Sequence, residues 1–583
     1  MSISRLSLTA HSGGRIFTLR RIGHRIALIL AAMSLCWLMV PASAEPEPTY
    51  AVAFTVREAP SPFATPVHGG PHWVTTTFLF DSLVWKDQNG LVPLLAQSWQ
   101  SSENKKVWTF KLRQDVRWHD GQPFTADDVK FTVDYLREHP LALAASEATS
   151  RIERIEVRSP LEVVFYLQSP WPDFLTDVAG IILIIPRHIW QSVTDPRKFL
   201  QPSAFIGTGP FKYIETRRGE YHLLESNAQY FLGRPAVERL VFKAVNNPPL
   251  ALKSGDVDAA SFSSPLAMAR FEGGDDFVIE NGPYSYYVTK LIFNVAHPPF
   301  TSKLVRQAFA YALDRQAIVN TVLSGNGLVS SAGLLHPDSR WFDPELPRYE
   351  YHPQRAEELL RQAGFSGKDA DGVLESADGS RLSFILYQRG ESPDMACVAE
   401  MIKDQLAAAG IHLDIKPVNT GVLEGLLSKG DFDIALDGHG GTIRLELVAD
   451  NPDFSARVYH NDELETLKTT FSTSLEAEVR RAAAWKIQRI IAEDLPALPI
   501  YHPGSPVVYR KSKGIRWFWT KEGLGGGAPI WWNKLALLRS GASPGSALSS
   551  APPAGMTRSI VVLAVAVIIL SALFIRFGNR SGR

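Results

Sequence analysis

The chain has 583 residues, and its 60 basic and 60 acidic side chains balance. Residues 1–44 and 539–583 carry five arginines each and no acid, which leaves 50 basic against 60 acidic side chains in 45–538, a solvated surface without the basic footprint that nucleic-acid binding needs. Of two cysteines only Cys397 lies in that body, so an intrachain disulfide and a CxxC metal knuckle are excluded there, while length and 10% aromatic content suffice for about three domains.

Residues 1–44 hold Arg5, Arg15, Arg20, Arg21 and Arg25, then an apolar run from 26 to 40, then Ala42-Ser43-Ala44. These are the three regions of a secretory signal peptide, with an uncleaved anchor as the alternative. Cys36 sits inside the apolar run behind bulky Leu35, which is not the setting of a lipoprotein cysteine. His68 and His72 are four apart, but Gly69-Gly70-Pro71 between them breaks any helix, so they do not make a helical metal pair.

Further along, Trp108, Phe110 and Leu112 alternate with Thr109, Lys111 and Arg113, the period of a strand with one buried face. His119-Asp120-Gly121 turns the chain. Thr125 is placed as a helix N-cap with Asp128 at N3, a capping box, and Phe124 as a staple onto Val129. The helix carries Val129, Val133 and Leu136 and stops near Pro140. A hairpin of 155–157 and 161–167 closes at Ser159-Pro160. One helix is expected over 304–323, ending at Gly325. A βαβ unit follows: strand 382–387, a helix bearing Met395, Val398, Ile402 and Leu406, and strand 411–418. Cys397 falls within that helix and is expected as a packed core thiol. Strand 431–436 runs into Asp437-Gly438-His439-Gly440-Gly441, whose glycines permit close backbone approach to a ligand, with a plain turn as the alternative. A helix over 475–493, a strand at 498–501 and structural tryptophans at 517, 519, 531 and 532 complete the body.

The chain then becomes rich in Gly, Ser, Ala and Pro over 540–558. Residues 559–575 form an uncharged, predominantly apolar stretch, seventeen residues between Arg558 and Arg576. That is at the short end for a hydrocarbon core of roughly 30 Å, and the flanking arginines can snorkel to make up the difference. The basic tail 576–583 places the C-terminus in the cytoplasm.

Catalytic signatures are missing: no GxSxG elbow, HExxH helix, P-loop lysine or CxxC pair occurs, and the glycine run at 523–527 opens no helix. Asp127/Asp128 and Asp256/Asp258 are explained by capping and a turn. The expectation is a protein that is not an enzyme and has no cofactor and no metal site.

Several segments in order carry a resemblance. Asp81-Ser82-Leu83-Val84, Trp118-His119-Asp120-Gly121 and Pro123-Phe124-Thr125-Ala126-Asp127-Asp128-Val129 come first. Gly207-Thr208-Gly209-Pro210-Phe211, Asn227 to Gly233, Leu252 to Asp258, Asn294 to Arg315 and Ala356 to Phe365 follow. Together they resemble the family 5 extracellular solute-binding proteins, the peptide/nickel class that feeds ABC importers. The resemblance implies an α/β, two-lobed fold like the type II periplasmic binding proteins, with an extra subdomain inserted in lobe one. On that pattern 45–84, 206–290 and 498–538 form lobe one, 85–205 the insertion and 291–497 lobe two. The chain would cross between lobes near 283–294 and 495–501, and the lobes would close on a ligand about that hinge.

The same resemblance implies a peptide or similar small polar solute, delivered to separate ABC permease and ATPase chains, with the membrane contacted through the C-terminal helix. A membrane-tethered sensor, or a binder of metal chelate, haem or oligosaccharide on the same fold, are the alternatives. In peptide-binding relatives an aspartate after the strand equivalent to 431–436 holds the peptide ammonium. The Trp…Asp-Pro that usually supplies it is absent here, and Asp437, Glu446 or Asp450 would have to substitute. By position, the cleft candidates are Tyr284, Tyr286 and the adjacent Tyr287 beside the first crossing, Asn294 at the end of the hinge segment, Tyr387, Gln388 and Arg389 at a strand end, and Asp437 and His439. Arg389 is suited to a carboxylate by its planar fork.

Overall fold

The computed structural model describes residues 48–56, 58–63, 71–139, 149–262, 265–282, 284–439, 459–520 and 531–538. The expected signal (1–44), linker (540–558), spanning helix (559–575) and tail (576–583) lie outside the described residues. No described helix is long and apolar enough to cross a membrane.

Two large mixed sheets organise the chain. The seven-stranded sheet runs, edge to edge, Phe277–Glu280, Val507–Arg510, Ala259–Ser261, Thr49–Ala53, Arg239–Lys243, Tyr221–Ser226 and Phe211–Arg217. Thr49–Ala53 pairs parallel with Arg239–Lys243 and Ala259–Ser261, so widely separated segments meet at its centre. The six-stranded sheet runs Gly327–Val329, Ala497–Pro503, Val288–Phe293, Ile434–His439, Ser383–Arg389 and His412–Val418. A four-stranded antiparallel sheet, Ala96–Ser101, Val107–Leu112, Glu162–Leu167 and Ile152–Ser159, contains the expected hairpin. The chain passes from the seven-stranded to the six-stranded sheet between Glu280 and Val288, and returns between Pro503 and Val507.

One hydrophobic core unites the four-stranded and seven-stranded sheets, including Trp108, Phe110, Phe165, Phe242 and Trp517. A second lies between the six-stranded sheet and its helices, with Leu291, Phe309, Val398, Leu436 and Leu498. A smaller one gathers Trp341, Leu464, Phe471, Ala484 and Ile487, where helices Asp462–Thr473 and Ala477–Asp494 pack together.

The motif residues turn out to be the rivets of the first core. Thr125 and Asp128 form the expected capping box on helix Ala126–Glu138. His119 clasps the glycine loop: its Nδ1 accepts from the Gly207 amide at 3.2 Å, and its Nε2 reaches the Gly209 carbonyl at 3.0 Å. Those partners assign the proton to Nε2. Burial holds the His119 pKa down at about 4, so the ring is neutral. Gly207 and Gly209 run against the Phe78–Leu79 backbone, where a Cβ at 207 would stand 1.9 Å from the Leu79 carbonyl oxygen. Only glycine fits there. Asp81, fully buried, accepts from Thr208 at 2.9 Å and Tyr230 at 3.2 Å and pairs with Lys534, which is equally buried. Lys534 thereby pins the 531–538 segment to the start of the body.

In the second part Arg315 is buried and donates to the carbonyls of Ser330 and Pro499 at 3.0 Å each, Arg348 at 2.6 Å and Tyr349 at 3.2 Å. Burial lowers its pKa to about 10. The βαβ unit forms as expected, with Ser383–Arg389 parallel to His412–Val418 across helix Pro393–Ala408.

Two expectations are corrected. The single helix over 304–323 is two, Lys303–Ala312 and Arg315–Val322, because the Asp314 carboxylate caps the second by accepting from the Ala317 amide at 2.8 Å. Cys397 is exposed rather than packed. The buried stripe of its helix runs through Met395, Val398, Ala399, Ile402 and Leu406, and Cys397 falls about 200° around from Met395, on the solvent side.

Candidate ligand-binding cleft

Three strands of the six-stranded sheet bring polar groups to one end. The register pairs Val288 with His439, Thr289 with Gly438 and Lys290 with Asp437, while Gln388 pairs with Leu436 on the other side. Asp437 and Arg389, 48 residues apart in the chain, therefore emerge next to one another. The Arg389 guanidinium forms an ion pair with the Asp437 carboxylate: one terminal nitrogen donates to Oδ2 at 3.1 Å, and Nε stands 2.6 Å from Oδ1 without the alignment of a hydrogen bond. The Gly438 amide also donates to Asp437 Oδ1, at 2.7 Å. The side chains of Arg389 and Asp437 are 29% and 11% exposed, so one edge of the pair still faces solvent.

Tyr287 closes the cluster. Its phenol lies over Gly438, where a Cβ would come within 2.3 Å of the hydroxyl oxygen. Burial, reinforced by the Asp437 charge and opposed by Arg389, raises the Tyr287 pKa to about 12, which keeps it a neutral donor. Burial works against the Arg389 charge, but Asp437, Tyr287 and Glu424 outweigh it, so the guanidinium is held more firmly charged than usual.

The other sequence candidates are placed differently. Tyr284 is exposed beside the crossing. Tyr286 is fully buried, its ring 4.4 Å from His336 and 6.4 Å from Trp519. Asn294 is also fully buried, its amide donating to the carbonyls of Gly430 at 2.9 Å and Phe432 at 2.8 Å. Tyr387 is half-buried against a small core containing Leu423 and Leu427, with the Lys416 ammonium 5.8 Å from its ring centre. His439 ends its strand opposite Val288. Glu446 and Asp450 lie outside the described residues. His72 is hydrogen-bonded to the Ser61 carbonyl at 2.8 Å. Among the described residues no group of three or more His, Cys, Asp or Glu side chains is arranged to hold a metal ion.

Sequence reading named Arg389 and Asp437 separately but not their pairing, since strand register carries it and no spacing does. It also missed a cavity of about 580 Å³ beside the second core, lined among others by Asp314, Ser330, Phe342, Tyr349 and Tyr351.

Residues 90–446 match the family described as bacterial extracellular solute-binding proteins, family 5 Middle. The chain belongs to this family. Among relatives of this solute-binding protein, the oligopeptide-binding protein AppA of Bacillus subtilis is 27% identical over 453 residues, 73% of this chain and 81% of that protein. A putative ABC transporter peptide-binding protein of Brucella ovis is 30% identical over 380 residues, 62% of this chain and 67% of that protein. The crystal structure of NikZ from Campylobacter jejuni in complex with Ni(L-His) superposes with a TM-score of 0.69 at 26% identity, covering 80% of this chain and 95% of that one. The α/β fold is that of the solute-binding proteins.

Proposed function

We propose that this solute-binding protein is the capture subunit of an ABC importer and takes a short peptide or an amino-acid chelate of similar size. The observation that carries the reading is the Arg389–Asp437 pair under Tyr287, at a sheet end beside the crossings between the two large sheets. A fixed cation and a fixed anion side by side, half withdrawn from water, suit a ligand that itself carries both charges. Among the relatives, one is an oligopeptide-binding protein and another was crystallised in complex with Ni(L-His), cargoes of the size proposed here.

The lobes in this reading follow the two large sheets rather than the expected bounds, because strand Ala497–Pro503 pairs within the six-stranded sheet and moves the return crossing from the expected 495–501 to 504–506. Joined there and at 281–287, they close on the solute without altering it. Release goes to a permease and an ATPase on separate chains. Export follows the 1–44 signal, and the helix 559–575 anchors the body to the outer face of the cytoplasmic membrane. Alkaline extraction of membranes tests the anchor: the chain should stay in the pellet, and a chain ending at 539 should not.

Thermal-shift titration tests the cargo, using a tripeptide pool, nickel with L-histidine, and malto-oligosaccharides. Peptides or the chelate should raise the melting temperature, since a ligand at a hundredfold excess over Kd stabilises by about 2.7 kcal/mol. Arg389→Gln should lose that shift. A shift with oligosaccharides alone, or one unchanged in Arg389→Gln, rejects the reading.

A further inference from the structure

Away from the crossings, one carboxylate joins parts of the molecule that the chain connects only over hundreds of residues. Asp173 follows Trp171 and precedes Phe174, both buried in the first core against the four-stranded sheet, where Trp108 stacks on Phe174 at 5.4 Å. Its carboxylate faces two arginines from the other side. Arg480 pairs with Oδ2 and reaches Oδ1 with its second nitrogen at 3.4 Å, and Arg340 meets Oδ1 at 3.0 Å. The Arg151 guanidinium, 3.9 Å from the Trp171 ring centre, donates across the same boundary to the Ser472 carbonyl at 3.5 Å.

Arg480 is held on a rigid seat. Its side chain is 7% exposed, its Nε donates to the Phe471 carbonyl at 2.9 Å, and its guanidinium carbon lies 4.7 Å from the ring centres of both Trp341 and Phe471. Trp341 and Phe471 belong to the core shared by helices Asp462–Thr473 and Ala477–Asp494, and the latter helix continues into the second core through Ala492. Both halves of the contact thus rest on aromatic bases, and charged side chains bridge them.

We propose that Asp173, Arg480 and Arg340 form a latch that holds the two parts in the closed arrangement. The inference rests on the closing-cleft reading above and adds to it the group that sets how long closure lasts. Without the carboxylate, two guanidiniums would face one another and Arg480 would keep a nearly buried charge with no anion beside it, held only by the Phe471 carbonyl and two ring faces. Water entering the seam relieves both costs, so separation becomes the favoured response.

Hydrogen exchange of the full chain, read by mass spectrometry, tests this with Asp173→Asn and with the more exposed Arg340→Gln as the variant less liable to misfold. The expected result is exchange about tenfold faster, in Asp173→Asn, at both contact faces (residues 171–180 and 469–482) and at the two crossings (284–287 and 504–506) at once. High salt should reproduce the effect in the unaltered protein and add little to the variant. Faster exchange confined to 171–180 overturns the latch. So does faster exchange at both contact faces with quiet crossings, which would make the contact a fixed seam. Closure itself is read separately in the unaltered protein, where the tripeptide pool or nickel with L-histidine should slow exchange at the crossings. If they do while Asp173→Asn changes nothing, the latch fails and the closing cleft stands.

Discussion

Asn294 shows how a residue that looks like a ligand contact in one dimension becomes a brace in three. Its amide is shut away from solvent and bonded to two carbonyls at the turn before strand Ile434–His439. Asn294→Ala should therefore cost about 1–3 kcal/mol of stability by orphaning those carbonyls, and leave ligand binding per folded molecule intact. Denaturant titration beside a binding isotherm separates the two. Lys534 is the sharper case. Its ammonium is fully buried against the equally buried Asp81, with the Trp85 ring centre 4.4 Å away. Lys534→Met leaves the buried Asp81 carboxylate without its counter-charge and should cost about 3–5 kcal/mol, whereas Lys534→Met with Asp81→Leu should recover much of that loss. Equal melting temperatures for the single variant and the unaltered protein would remove Lys534 from its role as the pin of the 531–538 segment.

At the scale of elements, local chemistry decides where helices stop. The apolar spacing over 304–323 continues smoothly, but Asp314 folds its carboxylate onto the next helix and turns one rod into two. This break puts Arg315 at the start of the second helix, from which it gathers four carbonyls of neighbouring segments. Asp314→Ala should cost about 1 kcal/mol by denaturant titration, with Asp314→Asn close to neutral, because the cap needs only an acceptor. A loss equal in both variants would point to the charge instead. The exposed Cys397 teaches the same lesson at one position: a helix with a strong apolar stripe still has an opposite side.

At the scale of the whole molecule, desolvation keeps the imidazoles of His119, His222, His336 and His502 neutral. Burial lowers His119, His222 and His336 to about 4 and His502 to about 3, in His222 and His502 with help from a neighbouring histidine, His72 and His336 respectively. Each of these groups binds its proton more weakly folded than unfolded, where the ordinary value is about 6.5. Their contribution is therefore complete above pH 6.5 and falls as pH drops from there toward 4 and then 3. Between pH 7.5 and 5.5, where carboxylates stay ionised, stability should fall by about 1 kcal/mol for each histidine that remains neutral. The unfolding midpoint at the two pH values checks this, and a midpoint that does not move would mean that these rings are solvated. His336 and His502 lie 4.7 Å apart beside Tyr286 at the first crossing, so part of the loss should appear there.

By itself the sequence determined the elements and the family. Alternation, capping boxes and breaker glycines act over a few residues and leave their mark in the order of the letters, as the Thr125–Asp128 box and the 383–418 βαβ unit show. The glycines at 207 and 209 were legible as a motif, but their cause, a backbone lying across them, was not. Only the tertiary structure decided which polar side chains meet. Arg389 and Asp437 come together through the register of a parallel strand pair, and Asp173 reaches Arg480 across 307 residues. Contacts of that kind depend on where sheets and cores settle relative to one another, and the loop between two partners can have almost any length at little cost in entropy. No spacing in the chain records them.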